Sequence, residues 1–314
     1  MRDTVVTVFG GSGFIGRHVV QRLAERGATI RVPTRSPRNA VFLRPMGAVG
    51  QIVLMPFDHA DRAKLPALVA GSTHVVSLVG ILAEGKAGDF HAIQGELPGL
   101  IGQAAAAAGV RRLVHVSAIG ADPDSPSLYA RSKAQGEAGV RAAFPAATIL
   151  RPSVVFGPGD GFFNRFAGMA RISPVLPLVG GGSNRFQPVY VGDVAEAVMA
   201  GLTRPDAVGR IYELGGPRAC SMRELMAYML GVIERRRKLV TLPWGLASGL
   251  ARLTEILPDP PLTRDQVELL KRDNVVAAGA DGLEALGILP TPMEVIVPGY
   301  LRPYRAQTAR LPAA

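Results

Sequence analysis

Tyr129 and Lys133 are the residues of this sequence whose types and spacing best suit proton chemistry. They stand four positions apart in SLYARSK, a spacing that stacks two side chains on one face of a helix. An ammonium group held there stabilises a phenolate and lowers the tyrosine pKa from about 10 toward neutral pH. Ser117, at the end of a predicted strand, can polarise a carbonyl oxygen while Tyr129 transfers the proton. The three side chains predict acid–base chemistry at a carbonyl or an alcohol.

A glycine-rich turn near the N-terminus predicts a phosphate site. Gly10, Gly13 and Gly16 are spaced GxxGxxG in VFGGSGFIGRHVV, after a predicted strand and at the start of an amphipathic helix. Glycines permit the tight turn and the close approach of a pyrophosphate, and the helix N-terminus offers free N–H groups and partial positive charge. The pattern is specific because it sits between a strand and a helix, and it predicts a bound dinucleotide.

The end of the second predicted strand indicates which dinucleotide binds. An acidic residue there would hold the ribose hydroxyls of NAD, but Arg35 occupies the position and Arg38 follows closely. A guanidinium group suits a 2′-phosphate, so NADP(H) is favoured over NAD(H); the alternative is an arginine that touches nothing. Asp58, after the third strand, either contacts the adenine amino group or caps the next helix.

These residues need a scaffold, and the chain predicts an α/β fold with a Rossmann-type doubly wound parallel sheet. Short β-branched runs alternate with helical patterns, as in parallel sheets covered by helices. The predicted strands are Thr4–Phe9, Ala28–Pro33, Ile52–Phe57, His74–Val79, Arg112–Ser117, Ala147–Arg151 and Arg210–Leu214.

A smaller, mostly helical C-terminal lobe is expected after about residue 215. Its predicted helices run from a capping box at Ser221 to Ile233, over Trp244–Leu257, and from Thr263 to about Arg272. We assign residues 1–160 and 185–215 to an NADP(H)-binding domain. Residues 161–184 and 216–314 form the predicted lobe for a substrate or partner.

Composition narrows the functional classes. Hydrophobic residues make up 48% of the chain, and the single cysteine, Cys220, suits a reducing compartment, so a cytoplasmic location is expected. The scattered histidines predict no metal site. The formal net charge of +10 indicates either an anionic partner or a solvated basic surface. The basic run that begins at Arg235 lacks interleaved aromatic residues, so we predict no nucleic-acid binding.

Taken together, these motifs resemble the extended or atypical branch of the short-chain dehydrogenase/reductase superfamily. The segments VHVSAIGADPDSPSLYARSKAQGE, ILRPSVVFGPGDGFFNRF, RFQPVYVGDVAEAV and PPLTRDQVELLKRDNVV look like those of the nucleotide-binding accessory subunits of respiratory complex I, the alpha-subcomplex subunit nine family. The similarity extends roughly from Thr4 to Tyr304. Without a mitochondrial targeting segment, the chain looks like a bacterial member, peripheral on the inner membrane or cytoplasmic.

The resemblance implies tight NADP(H) binding, a structural or assembly role in complex I for the mitochondrial members, and a link of related proteins to ubiquinone metabolism. It also implies that Pro152, Ser153 and Val154 line the nicotinamide pocket. The predicted dinucleotide site comprises Gly10, Ser12, Gly13, Phe14, Ile15, Gly16, Arg35, Asp58, Val79, Lys133, Pro152 and Val154.

One departure from the family pattern concerns the substrate. Many extended reductases carry an Asn-Ala-Ala-type segment after the fourth strand, whereas residues 78–81 here are Leu-Val-Gly-Ile. The pocket therefore suits an apolar substrate, or it lacks the polar contacts that position a sugar. The favoured function is an NADP(H)-dependent oxidoreductase. The alternatives are a cofactor-stabilised accessory or assembly factor of complex I, associated with that complex or a membrane surface, and a sugar-nucleotide epimerase or dehydratase.

Several further segments allow two interpretations. Asp193 is either an active-site carboxylate or, as we favour, a helix N-cap. Arg151, Asn164 and Arg185 either face a substrate or hold loops. The segment LPWGLASGLARLTEILP places Leu246, Leu250, Leu253 and Leu257 on one helical face, which lies on a membrane or partner or, as we favour, packs on the protein's own core.

Overall fold

A computed structural model describes residues 1–255, 260 and 262–306, which divide into two compact units. The first unit contains residues 1–153, 191–215 and 275–290, and the second contains 154–190, 216–274 and the chain from 291 onward. The division therefore departs from the predicted boundaries at 154–160, 185–190 and 275–290. Residues 275–290 join the first unit because Glu213 binds them twice: its N–H donates to the Asp281 carbonyl (2.9 Å), and its carboxylate accepts from the Ala277 N–H (2.9 Å).

The strands, in chain order, are β1 (Val5–Phe9), β2 (Thr29–Thr34), β3 (Ile52–Pro56), β4 (His74–Ser77), β5 (Arg112–Val116), β6 (Thr148–Pro152), β7 (Val155–Phe156), β8 (Val175–Val179), β9 (Arg185–Phe186), β10 (Val189–Tyr190), β11 (Ile211–Leu214), β12 (Cys220–Ser221) and β13 (Lys238–Leu242). The helices are α1 (Phe14–Glu25), α2 (Leu65–Val69), α3 (Leu97–Ala107), α4 (Leu128–Ala143), α5 (Phe163–Ile172), α6 (Val191–Thr203), α7 (Met222–Val232), α8 (Trp244–Thr254), α9 (Arg264–Leu269) and α10 (Met293–Leu301).

A parallel seven-stranded sheet forms the centre of the first unit, in the order β11-β6-β5-β4-β1-β2-β3. All seven predicted strands are present in it, with ends displaced by at most two residues, so the predicted fold class is confirmed. Their β-branched residues are buried because helices pack on both faces of the sheet, and this explains why the strands lack an alternating polar pattern.

The strand order determines where a ligand can bind. From β1 the chain proceeds outward to β2 and β3, and from β4 it proceeds in the other direction to β5, β6 and β11. Helices from the two halves pack together in two layers, with α1 against α6 and α3 against α4. The crevice between the carboxyl ends of β1 and β4 is the switch point at which ligands bind in doubly wound sheets.

Asp193 lies in α6, which begins at Val191. The side chain therefore stands in the first helical turn, where a carboxylate complements the helix dipole. The favoured assignment of Asp193 as the N-cap is wrong, because the helix begins at Val191 and Asp193 is its third residue.

The second unit combines helices with short strand pairs. β7 pairs with β10, β8 with β13 and β9 with β12, and the buried faces of α5, α7 and α10 form its core. The predicted capping box is present at the start of α7: Ser221 Oγ accepts from the Glu224 N–H, and the Glu224 carboxylate accepts from the Ser221 N–H. Cys220 is buried, and burial raises the pKa of its thiol.

The leucines of α8 contradict the interpretation that we favoured. Leu246, Leu250 and Leu253 are 65%, 46% and 72% exposed, whereas Ala247 and Ala251 on the other face are fully buried. The small alanines pack inward, so the leucine face is left outside the core. The helix ends at Thr254, and Leu257 lies outside the described residues. No helix among the residues described is long and apolar enough to cross a membrane.

Candidate active site

The glycine turn after β1 has the backbone that the sequence predicts. Gly10 has a positive φ of 78°, and a Cβ at this position would lie only 2.9 Å from the Leu78 carbonyl oxygen at the end of β4. A Cβ on Gly16 would come within 2.1 Å of the Gly10 carbonyl oxygen. Both positions therefore require glycine, since any side chain would separate the turn from β4 or the helix from the turn.

The N-terminus of α1 is suited to an anion. Gly13 is the N-cap and supplies no side chain to the first N–H groups of the helix. The amides of Phe14, Ile15 and Gly16 belong to the first turn, which has no intrahelical carbonyl partners. Together with the helix dipole, these donors fit a dinucleotide pyrophosphate. Ser12 lies beside them, half-buried in the turn.

The residues predicted to hold the rest of the dinucleotide follow the ends of strands β2 and β3. Arg35 and Arg38 are exposed, and the Arg35 side chain makes no hydrogen bond or ion pair within the chain as the structure describes it. Asp58 is exposed and accepts the N–H of Ala60 through Oδ1 (2.9 Å). It therefore closes a local turn rather than capping a helix, since the next helical turn begins at Arg62.

Further predicted residues follow β4 and β6. Val79 is half-buried against the core beside α3. Pro152 ends β6 and is buried, and the Ser153 N–H donates to the Leu214 carbonyl of β11 (2.9 Å). Val154 belongs to the second unit, where it packs against that unit's core. Except for Val154, the predicted site residues outside α1 and α4 thus stand at one edge of the sheet, where its parallel strands end.

Tyr129 and Lys133 lie on one face of α4. The helix begins after Ser127, whose Oγ accepts from the Ala130 N–H, so the tyrosine stands in its first turn. The Lys133 Nζ lies 5.8 Å from the centroid of the Tyr129 ring, and the Phe90 ring meets the tyrosine edge-on at 5.8 Å. The predicted Tyr–Lys pair is therefore assembled, with the ammonium group close enough to act on the phenol.

Lys133 is buried, with 5% of its surface exposed. Burial lowers the pKa of its ammonium group to about 8, and the carboxylate of Glu137 one turn along the helix opposes that shift. A Cβ on Gly80 would lie 3.2 Å from Lys133 Nζ, so the backbone after β4 passes directly beside the ammonium group. A larger residue at position 80 would displace the lysine.

Ser117 follows β5 and is 4% exposed, and its Oγ has no hydrogen-bond partner among the described residues. A buried hydroxyl without a partner is costly, and a ligand oxygen would satisfy it. His115, two residues earlier on β5, is buried with Nδ1 3.3 Å from Ser77 Oγ. Burial, followed by the charge of Lys133, lowers the His115 pKa to about 3, so this imidazole is neutral.

The sequence reasoning missed Gln94, which joins the loop after β4 to α4. Gln94 is buried on a π-helix (Phe90–Glu96); its Oε1 accepts from the Ile81 N–H (3.1 Å), and its Nε2 donates to Ser132 Oγ (3.1 Å). Ser132 Oγ in turn donates to the Tyr129 carbonyl (2.8 Å). Nothing in the sequence marks this glutamine, because its partners are brought together only by the packing of α4 on the π-helix.

The sequence left two interpretations for three polar residues, and the structure shows what each of them contacts or whether it is exposed. Arg151 donates to Glu137 through Nε (2.9 Å) and Nη2 (2.7 Å), and Asn164 Nδ2 donates to Asp160 Oδ1 (3.3 Å). The Arg185 side chain is exposed. Arg151 and Asn164 therefore each have a carboxylate partner within their own unit.

Comparisons with known proteins agree with this geometry. Residues 6–215 match the model of the "NAD dependent epimerase/dehydratase family". The chain is 37% identical over 304 residues to NADH dehydrogenase [ubiquinone] 1 alpha subcomplex subunit 9, mitochondrial, of Rattus norvegicus, covering 96% of this chain and 80% of the relative. It is 32% identical over 241 residues to the ceramide reductase of Caulobacter vibrioides, covering 76% and 74%.

The fold is shared with a solved structure, the dTDP-glucose 4,6-dehydratase of Streptomyces venezuelae with NAD and TYD bound. The TM-score is 0.74 and the sequence identity is 21%, and the match covers 96% of this chain and 97% of that one. The family match implies a nicotinamide cofactor, and the glycine turn and the open N-terminus of α1 fit one. The matched family model and the extent of the similarity to the complex I subunit show that the chain belongs to the NAD dependent epimerase/dehydratase family, as a relative of the alpha-subcomplex subunit 9 proteins.

Proposed function

We propose that the protein is an NADP(H)-dependent oxidoreductase that reduces a carbonyl group, or oxidises the corresponding alcohol, of an apolar substrate. The observation that supports this proposal is the buried hydroxyl of Ser117, which has no hydrogen-bond partner among the described residues. Ser117 follows β5, the strand that precedes the helix of Tyr129 and Lys133. A substrate oxygen at this place would give the hydroxyl its missing partner.

In this proposal each side chain has one role. Ser117 Oγ donates a hydrogen bond to the substrate oxygen, and Tyr129 gives its phenolic proton to the same oxygen. The Lys133 ammonium stabilises the phenolate that remains, and with a pKa of about 8 it is roughly nine-tenths protonated at pH 7. The bound nicotinamide supplies the hydride. Burial of Lys133 strengthens its effect, because little water screens the charge.

Arg35 supports NADP(H) as the cofactor. It follows β2 at the position where an acidic residue would hold the ribose of NAD, and its guanidinium has no partner within the described residues that a 2′-phosphate would have to displace. Gly10, Gly13 and Gly16 and the first turn of α1 would hold the pyrophosphate, and Lys133 and Pro152 would stand at the nicotinamide end.

An apolar substrate is supported by the segment after β4 and by one relative. Leu78, Val79 and Ile81 offer aliphatic side chains where a sugar would need polar partners, and Leu82 is 73% exposed. The Caulobacter relative is named a ceramide reductase, which indicates that the same branch includes an enzyme for a lipid. A quinone-pathway intermediate with an apolar tail belongs to the same chemical class.

The test is NADPH oxidation by the purified protein with three apolar oxidants: a long-chain aliphatic ketone, a 3-ketoacyl ester and a short-chain ubiquinone analogue. A sugar nucleotide is the polar comparison, and its epimerisation or dehydration is followed by product analysis, because neither reaction consumes NADPH overall. We expect turnover with at least one apolar carbonyl and its loss in Ser117→Ala. Conversion of the sugar nucleotide alone would support the epimerase alternative. Tight NADPH binding without turnover of any compound would contradict an oxidoreductase role.

A second candidate function, that of an accessory or assembly factor for a membrane complex, is favoured by α8. Its leucines are exposed among the described residues, and the Rattus relative is named as a subunit of NADH dehydrogenase. Such a protein could gain stability from a bound cofactor without turning it over. The net charge of +10 would also suit a surface with anionic lipids.

The two candidates differ in what they require of Tyr129. The gene is deleted and complemented with the wild type or with Tyr129→Phe, and the quinone content and the amount of assembled complex I are measured. If the oxidoreductase function is the essential one, the Phe variant fails to restore the quinone content. If the accessory function is essential, the Phe variant restores both, because it retains the fold and Lys133.

A further inference from the structure

Three charged residues form a connected group that begins one helical turn from Lys133. Glu137 stands one turn after the lysine on α4, Arg151 is on β6 and Glu213 is on β11. Arg151 Nε and Nη2 donate to the two Glu137 carboxylate oxygens at 2.9 and 2.7 Å, and its Nη1 reaches Glu213 at 3.5 Å. The side chain of Glu137 is only 6% exposed.

The burial of this ion pair is weak evidence that it stabilises the fold. Removing two charges from water costs several kcal/mol per ion, and apolar residues of similar volume often replace such a pair without loss. The bidentate geometry restricts both side chains, so the carboxylate is fixed on the same helix face as Lys133. The same pair also connects the helix that carries Tyr129 to two strands of the sheet.

We propose that Glu137 and Arg151 are positioning residues that hold the active-site face of α4 on the sheet and set the electrostatic field at the Lys133 ammonium. The proposal rests on the proposed function, in which Lys133 acts on Tyr129. Glu137 attracts the charge on Lys133 across one helical turn, and Arg151 cancels part of that attraction by pairing with Glu137. Burial lowers the pKa of Lys133, and the balance between Glu137 and Arg151 sets how far the carboxylate opposes that shift.

Among the titratable groups around Lys133, Glu137 is the one whose charge acts on the lysine pKa. On β5, His115 is neutral. On α4, Tyr129 is the group that the lysine serves. On the π-helix, His91 meets α4 at Gln135 and Glu96 is paired with Arg62, and these side chains are half-buried or exposed.

The proposal predicts shifts of opposite sign for the two partners. Glu137→Gln removes the attraction and leaves the Arg151 charge, so the pKa of Lys133 falls, by about one unit. Arg151→Gln leaves Glu137 without its partner, and the carboxylate then raises the pKa of Lys133, also by about one unit. The double variant, which removes both charges, lies between the two single variants.

The experiment titrates the lysines directly. The sequence contains five, Lys64, Lys86, Lys133, Lys238 and Lys271, and all except Lys133 are exposed. In protein labelled with ¹³C at lysine Cε, one resonance should titrate well below the others, and Lys133→Arg identifies it by its loss. The midpoint of that resonance is then measured in the two Gln variants and in their combination.

Opposite shifts of the Lys133 midpoint support the proposal, and an unchanged midpoint in both single variants overturns it. A purely structural pair would lower the unfolding temperature of both variants without moving the midpoint in opposite directions. If Glu137→Gln does not fold, Arg151→Gln and the double variant still decide the sign. Glu196→Gln is the matched control, since Glu196 on α6 also binds two arginines, Arg22 and Arg26, and its loss should leave Lys133 unchanged.

This titration needs neither substrate nor turnover, so its outcome is separable from that of the proposed function. If NADPH oxidation fails with every carbonyl while the lysine shifts appear, the charge pair still acts on Lys133 and the reaction assignment is wrong. If oxidation succeeds while the lysine does not shift, the reaction stands and Glu137 and Arg151 serve only to hold the helix on the sheet.

Discussion

Two regions of this protein depart from the usual distribution of polar and apolar residues, and in opposite ways. Beside α4 in the first unit, polar side chains are buried: Ser117, Lys133, Glu137 and Gln94 are all at most 5% exposed. Along α8 in the second unit, apolar side chains are exposed, while alanines occupy the buried face. Buried polar groups and exposed apolar patches are the informative exceptions in a folded chain.

The difference between the regions separates the two functional candidates. A buried unpartnered hydroxyl and a partly desolvated ammonium suit a small polar group entering a site, which is the requirement of an enzyme. An exposed leucine face suits a broad apolar surface, which is the requirement of a partner or a membrane. A protein can have both properties, so the experiments must perturb each region without disturbing the other.

Tyr129→Phe should produce the largest effect, and it tests the polar region. The variant keeps the ring that packs on Phe90 but removes the proton donor, so the kcat of carbonyl reduction should fall by about 10²- to 10⁴-fold. The affinity for NADPH should stay within about twofold, as measured by fluorescence titration. A Phe variant with wild-type kcat would exclude Tyr129 as the proton donor.

Arg35→Ala tests the cofactor side of the same region. Loss of a charge-assisted contact with the 2′-phosphate should weaken NADPH binding by about ten- to a hundredfold and leave NADH binding unchanged. Both dissociation constants are measured by calorimetry. Arg38→Ala, which alters the neighbouring exposed arginine, serves as the comparison. Equal affinities of the wild type for NADPH and NADH would contradict the role assigned to Arg35.

Lys133 predicts a pH dependence. Its pKa is lowered to about 8, so the ammonium form that stabilises the phenolate is present below pH 8 and is lost as the pH rises through that value. The kcat/KM, which reports groups of the free enzyme, should therefore fall above pH 8 by about tenfold per pH unit. In Lys133→Arg the positive charge persists to much higher pH, and this alkaline decline should disappear. A decline that remains near pH 8 in the Arg variant would assign it to another group.

Much of the polar region could be predicted from the sequence because its signals are local. The glycine turn lies between a strand and a helix, and Tyr129 and Lys133 are neighbours on one helix that follows the strand ending at Ser117, so spacing together with motif order indicates them. The seven strands follow from their β-branched runs. Gln94 could not be predicted, because its hydrogen bonds reach Ile81 and Ser132 only through the packing of the π-helix on α4.

The apolar region shows where periodicity is insufficient. The leucine spacing in α8 predicts a helix with an apolar face, and that helix is present. The pattern does not specify which face meets the core. A stripe of small residues packs as closely as a stripe of large ones, and Ala247 and Ala251 are the residues that the second unit buries.

Substitutions in α8 should have the smallest effect on stability, and they test the apolar region. Leu246 and Leu253 are already mostly in water, so replacing both with Gln should change the free energy of unfolding by no more than about 0.5 kcal/mol per site. Ala251→Gln on the buried face of the same helix should cost about 2 kcal/mol, since it overfills a packed position. Denaturant unfolding measures both. Equal destabilisation would mean that the leucines belong to the core. Co-sedimentation with membranes or complex I is the second measurement, and stable leucine variants that no longer sediment would assign the exposed face to a partner.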